Sequence, residues 1–219
     1  MPEILLLNKP FGIVSQFSGD ILSDTLASYI SLKGFYPAGR LDKNSEGLLV
    51  LTNDGKLQNQ ITDPKFKLHK TYLVQVENEI SSGAIQTLRD GICLKDGLTK
   101  PAIVDRIDEP ANLWDREPPI RKRKFITTSW IKIIIYECKN RQIRRMTAAV
   151  GFPTLRLIRI AIGDWCLENL LPGQFLRREV AYRRSLLPFI YGSKIRFSAT
   201  DPSVTMLGLL FFPEWCFIF

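Results

Sequence analysis

Apolar residues in the chain fall in short runs broken by turn residues, the pattern of strands interleaved with a few short helices. Residues 4–7, I-L-L-L, read as a buried strand closed by the turn N-K-P-F-G at 8–12, with a second extended piece at 13–15. Ser23 and Asp24 offer an N-cap for a short helix reaching Ile30, since Leu26 and Ile30 lie four apart on one face. The run L-L-V-L at 48–51 is a strand stopped by Asn53-Asp54-Gly55, and residues 56–61 form a helix with Leu57 and Ile61 on one side. Residues 68–77 alternate, with Tyr72, Val74 and Val76 on one face and Leu73 and Gln75 on the other, which predicts a strand with Tyr72 facing the core or a cleft. A helix follows over 81–90 with Gly91 as its C-cap, and Asp96-Gly97 makes a hairpin turn between 92–94 and a strand at 102–107.

Residues 108–125 contain Pro110 and Pro118-Pro119 and read as an irregular loop. Beyond it, 127–137 is the strongest strand, rich in β-branched and aromatic residues. It leads into a helix that runs to Val150 and is stopped by Gly151. On that helix Ile143, Met146 and Val150 gather on one side, and Arg141, Arg144 and Arg145 on the other. A strand at 154–163, a turn or short helix at 167–171 and an extended piece at 173–180 complete the pattern, which predicts an α+β fold.

Composition narrows the chemistry. With 219 residues the chain can bury a sizeable core in one large unit, and its formal charge of +8 favours a polyanionic partner. The 4 cysteines are widely spaced and His69 is the single histidine, so neither a metal site nor a histidine-based triad has its parts. Free thiols and the absence of an export signal point to the cytoplasm. The basic run Arg121-Lys122-Arg123-Lys124, with Trp114 and Phe125 nearby, suits single-stranded RNA, whose phosphates meet cations and whose bases stack on rings. The reactive-group candidate is Asp42, in a short loop ahead of the 48–51 strand, where the sheet fixes the backbone and the side chain can face a cleft. Arg40, two residues away, is its nearest cation in sequence.

Four segments resemble the pseudouridine synthases of the RsuA type: L-N-K-P-F-G at 7–12, A-G-R-L-D-K-N-S-E-G-L-L-V-L-T-N-D-G at 38–55, K-T-Y at 70–72, and N-R-Q-I-R-R-M-T-A-A-V-G-F-P-T-L-R-L-I-R at 140–159. The resemblance covers residues 3–180 and implies a mixed, mainly antiparallel bent sheet flanked by helices around a central catalytic cleft. It also implies isomerisation of a uridine in RNA: the bond from ribose carbon 1′ to uracil nitrogen 1 is broken, the base turns, and it is rejoined through carbon 5. No metal or cofactor takes part. The run P-P-I-R-K-R-K at 118–124 fits the branch that acts on large-subunit ribosomal RNA.

By position in the family motifs, Asp42 is the catalytic aspartate, adding to the sugar or promoting a glycal. Arg144 is the arginine that favours its ionised form against desolvation. Tyr72 is the tyrosine that stacks on the uracil and assists at carbon 5. The uridine must be flipped out of its stack, and Lys9, Arg40, Arg141 and Arg145 are expected at the flanking phosphates. The sequence departs from the pattern at Cys138, which stands where relatives have glycine, and substrate selection is expected to rest on the catalytic domain and its basic loop without a separate small RNA-binding module ahead of them. The expected organisation is a catalytic domain at 1–182 and a disordered or loosely packed extension at 183–219, acting as a monomer. The apolar run near the end is too short and interrupted to span a membrane.

Overall fold

The computed structural model describes residues 1–66, 68–121 and 126–180. Among them the strands are β1 (Glu3–Lys9), β2 (Tyr36–Pro37), β3 (Glu46–Thr52), β4 (Lys70–Glu77), β5 (Cys93–Leu94), β6 (Gly97–Leu98), β7 (Ile103–Ile107), β8 (Thr128–Ile135), β9 (Thr154–Ile162), β10 (Trp165–Cys166) and β11 (Phe175–Glu179). The helices are α1 (Gly55–Thr62), α2 (Ser82–Asp90) and α3 (Gln142–Ala149). Apart from a small β5–β6 hairpin, the strands form one sheet in the order β11-β1-β3-β9-β4-β8-β7, with β2 and β10 attached to β3 and β9. The β3–β9 contact is parallel and the other pairings are antiparallel, so the expected mixed, mainly antiparallel α+β architecture holds.

Both faces of the β1–β3 region are covered, which is why these strands read as unbroken apolar runs. Leu5, Leu7, Leu49 and Leu51 pack with Leu26, Ile30 and Phe35 on one face, while Ile4, Leu6, Leu48 and Val50 pack with Leu57 and Ile61 of α1 on the other. A second core joins Val74, Val76, Ile131 and Ile133 to Leu88 of α2 and to Ile143 and Met146 of α3. The Asp54 carboxylate accepts from the Leu57 amide at 2.7 Å and starts α1; Ser81 caps α2 in the same way, accepting from Ala84 at 3.2 Å.

Three local expectations are corrected. The 23–30 segment forms two 3₁₀ turns, Leu22–Asp24 and Leu26–Ser28, because Thr25 caps the second turn and bonds back to the Leu22 carbonyl, interrupting a continuous helix. Residues 13–15 make no ladder; their backbone is tied instead by bonds such as Val14 N–H to Asp24 C=O at 2.8 Å. The 96–97 turn does not lead into the 102–107 strand: Gly97 already belongs to β6, and β7 pairs with β8 in the main sheet. The 183–219 extension lies outside the described residues.

Candidate active site

Asp42 sits in the loop between β2 and β3, and that loop is held from three directions. The Ser15 hydroxyl donates to the Leu41 carbonyl at 2.7 Å and accepts from the Leu41 amide at 3.0 Å. The Gly12 amide donates to the Lys43 carbonyl at 2.9 Å, and the Asp42 carbonyl accepts from Ser45 N–H at 3.0 Å to close a tight turn. From α3, Arg144 donates through Nη2 to the Asn44 carbonyl at 2.7 Å. A cavity of about 170 Å³ opens beside this loop, lined by Arg40, Asp42, Tyr72, Cys138, Arg141 and Leu157 among others. The sheet order explains the meeting: β9 lies between β3 and β4, so the aspartate loop and the tyrosine strand are brought to one cleft across it.

Tyr72 packs with Val74 and Val76 and also lines the cleft, so its position serves both core and site. Burial pushes its phenol up from the ordinary value, and the nearby Arg159 guanidinium opposes that shift. Arg144 lies within electrostatic reach of Asp42 but forms no direct ion pair with it; its hydrogen bonds go to the Asn44 carbonyl and, at 3.4 Å, to the Thr154 carbonyl. The guanidinium thus acts on the carboxylate through its charge and clamps the aspartate's own loop directly.

The expected phosphate contacts divide. Arg40 and Arg141 are exposed and line the cleft. Lys9 does not reach RNA: it is 0% exposed and donates to the Pro10 and Ile13 carbonyls at 2.8 and 2.7 Å. Its pKa falls to about 7, chiefly by burial, with Arg159 adding to the effect and Glu46 and Asp42 opposing it. Arg145 turns away from the cleft and grips Asp96 at 2.7 and 3.0 Å. The three arginines therefore do not share one face: Arg144 reaches the aspartate loop and Arg145 the β5–β6 hairpin. Arg121 is exposed, and Lys122, Arg123, Lys124 and Phe125 lie outside the described residues.

Trp114 is not free to stack on a base. Its indole N–H donates to Glu46 at 2.8 Å, and Glu46 in turn forms a two-pronged pair with Arg156, both bonds at 2.9 Å. Arg156 also donates to the Trp114 carbonyl at 2.8 Å, so this buried cluster fastens the 108–121 loop to the start of β3. Glu46, Arg156 and Arg159 escaped sequence reasoning. The signal for the arginines was present: cations inside the apolar run of β9 are tolerated only with partners. Cys138 raises no backbone difficulty, because the left-handed residue of this turn is Arg141, at φ 46°. Gln142 knits the turn together, accepting from the Lys139 amide at 3.0 Å and donating to Glu137 at 2.5 Å.

The cleft thus joins one carboxylate, one tyrosine ring and a cationic rim at the centre of the sheet. The sequence profile described as RNA pseudouridylate synthase matches residues 3–149, and the chain belongs to that family. Its relatives include a protein named ribosomal large subunit pseudouridine synthase E from Xanthomonas axonopodis pv. citri, 53% identical over 171 residues, covering 77% of this chain and 90% of that one. A protein of the same name from Vibrio vulnificus is 51% identical over 173 residues, covering 79% of this chain and 74% of its own. Among solved structures, one described as a crystal structure of pseudouridylate synthase superposes with a TM-score of 0.65 at 29% identity, over 82% of this chain and 71% of that one. The chain is an RNA-acting isomerase of this family.

Proposed function

We propose that the chain isomerises a uridine of large-subunit ribosomal RNA, with Asp42 as the reacting carboxylate. The observation that carries this is the meeting of Asp42 and Tyr72 in one small cleft whose rim presents Arg40 and Arg141. The names of the relatives supply the RNA class. The cleft is small, about 170 Å³, so the uridine enters flipped, and stacking on Tyr72 offsets the unpairing. Asp42 then acts at the sugar or by the glycal route. Arg144 fixes the carboxylate by holding the Asn44 carbonyl two residues on, and Arg40 and Arg141 take the flanking phosphates. The run 121–124, of which Arg121 is exposed, provides a further phosphate contact. The protein acts as a cytoplasmic monomer.

A large-subunit rRNA fragment labelled with tritium at uracil carbon 5 tests this. Wild-type protein releases label, and Asp42→Asn binds the fragment without releasing it. Release by Asp42→Asn at the wild-type rate removes Asp42 from the chemistry, and release only from small-subunit RNA removes the substrate assignment.

A further inference from the structure

Arg159 occupies a position that neither structural need nor the cleft chemistry so far described accounts for. It is 3% exposed at the centre of β9, paired with Gly47 of β3 on one side and Tyr72 of β4 on the other. A shift of register between Thr71 and Tyr72 on β4 brings Tyr72 into line with Arg159. The Arg159 Nε donates to the Leu48 carbonyl at 2.8 Å, and its guanidinium lies beside the Tyr72 phenol, whose ionisation it favours. Its Nη2 is buried without a partner, and no carboxylate pairs with it among the described residues, since Glu46 is taken by Arg156.

A buried cation lacking a counter-ion destabilises the fold, and replacing it with an apolar side chain would ordinarily be favourable. Its retention between the two strands that carry the site needs another cause. We propose that Arg159 is a positioning residue: tied to β3 through the Leu48 carbonyl, it donates to the Tyr72 phenol and fixes that ring relative to the loop bearing Asp42. Three consequences follow from the geometry. The phenol oxygen accepts from Arg159, so its own hydrogen is directed away from the guanidinium. The ring keeps one orientation as the base enters and leaves. The phenol and the start of β3, just beyond the loop bearing Asp42, are referred to one side chain on the strand between them.

This inference rests on the assignment of Asp42 and Tyr72 as the reacting site, and a double-mutant cycle on intact protein separates the two. Single-turnover isomerisation and RNA affinity are measured for wild type, Tyr72→Phe, Arg159→Gln and the double variant, with Arg159→Lys alongside. The expected result is a loss of about 100-fold in rate for Arg159→Gln, of the size that misplacement by about an ångström produces, with affinity changed less than about twofold. In the Tyr72→Phe background the same substitution adds less than about threefold. The Tyr72 ¹³Cζ signal, assigned by its loss in Tyr72→Phe, titrates at higher pH in Arg159→Gln. Multiplication of the two single effects, or an unmoved Tyr72 titration, overturns the proposal. Should the Arg159 variants fail to fold, ¹⁵N-arginine spectra decide: a guanidinium signal of the wild type must shift in Tyr72→Phe, and an unchanged spectrum overturns the proposal. Full activity of Asp42→Asn would instead sink the underlying site assignment, while a dead Asp42→Asn with an additive cycle sinks only the role of Arg159.

Discussion

Gly47 and Arg159 meet backbone to backbone at the parallel contact of β3 and β9, so closely that a Cβ on Gly47 would lie 2.3 Å from the Arg159 carbonyl oxygen and 2.9 Å from its nitrogen. Gly47 also has φ 98°, which L side chains rarely adopt. Gly47→Ala must therefore part the two strands or twist the start of β3. We expect a loss of stability of roughly 2–4 kcal/mol from strain and disrupted packing, seen as a lowered urea midpoint, with a larger proportional loss of isomerisation than of RNA binding. A variant with the wild-type midpoint would show that the contact yields easily.

Glu46 and Arg156 are the buried ion pair of the described fold, with side chains 2% and 8% exposed. Removing one partner leaves the other charged and unpaired, so Glu46→Gln should destabilise by about 3–5 kcal/mol in equilibrium denaturation. Trp114→Phe deletes only the indole donor and should cost about 1 kcal/mol while raising protease sensitivity of the 108–121 loop. Equal effects of the two substitutions would mean that the loop anchor, not the ion pair, carries the stability.

Lys9 gives the protein a measurable pH dependence. Its folded pKa of about 7 lies below the ordinary 10.5, so between these values the unfolded chain binds the proton that the folded chain has released. Its contribution to stability therefore rises with pH across that window, by up to about 1.4 kcal/mol per unit, and is flat below it, where both states are protonated. Subtracting the stability profile of Lys9→Met from that of wild type should isolate this slope. A difference profile that is flat from pH 7 to 10 would show that Lys9 stays charged in the fold.

Arg40 and Arg141 should contribute to RNA affinity through phosphate contacts, and Arg145 should not. Replacing Arg40 or Arg141 with glutamine should each flatten the log–log salt dependence of binding by about 0.7, the single-strand value per phosphate. Arg145→Gln should leave that slope unchanged and instead loosen the β5–β6 hairpin by freeing Asp96. An equal change of slope for all three would mean that Arg145 abandons Asp96 when RNA is bound.

Much of the fold is written locally. Apolar runs too short for helices gave β1 and β3, which are covered on both faces, while alternation gave β4 and β-branched and aromatic richness gave β8. Asp54 and Ser81 announced their helices because a cap acts within three residues. Asp42 and Tyr72 were legible for a related reason: a loop before a buried strand and an alternating face fix where a side chain can point. What the chain could not disclose by itself was the partner of each buried charge. Arg144 reaches Asn44 across 100 residues, and Arg156 reaches Glu46 across 110. Those pairings depend on β9 inserting between β3 and β4 and on the register of each contact, and a one-residue slip would turn every such side chain to the opposite face. Hence Lys9, which looked like a turn lysine facing a phosphate, became a buried amine on two carbonyls, and Arg159, one more arginine in an apolar strand, proved tied to the Leu48 carbonyl of β3 beside Tyr72.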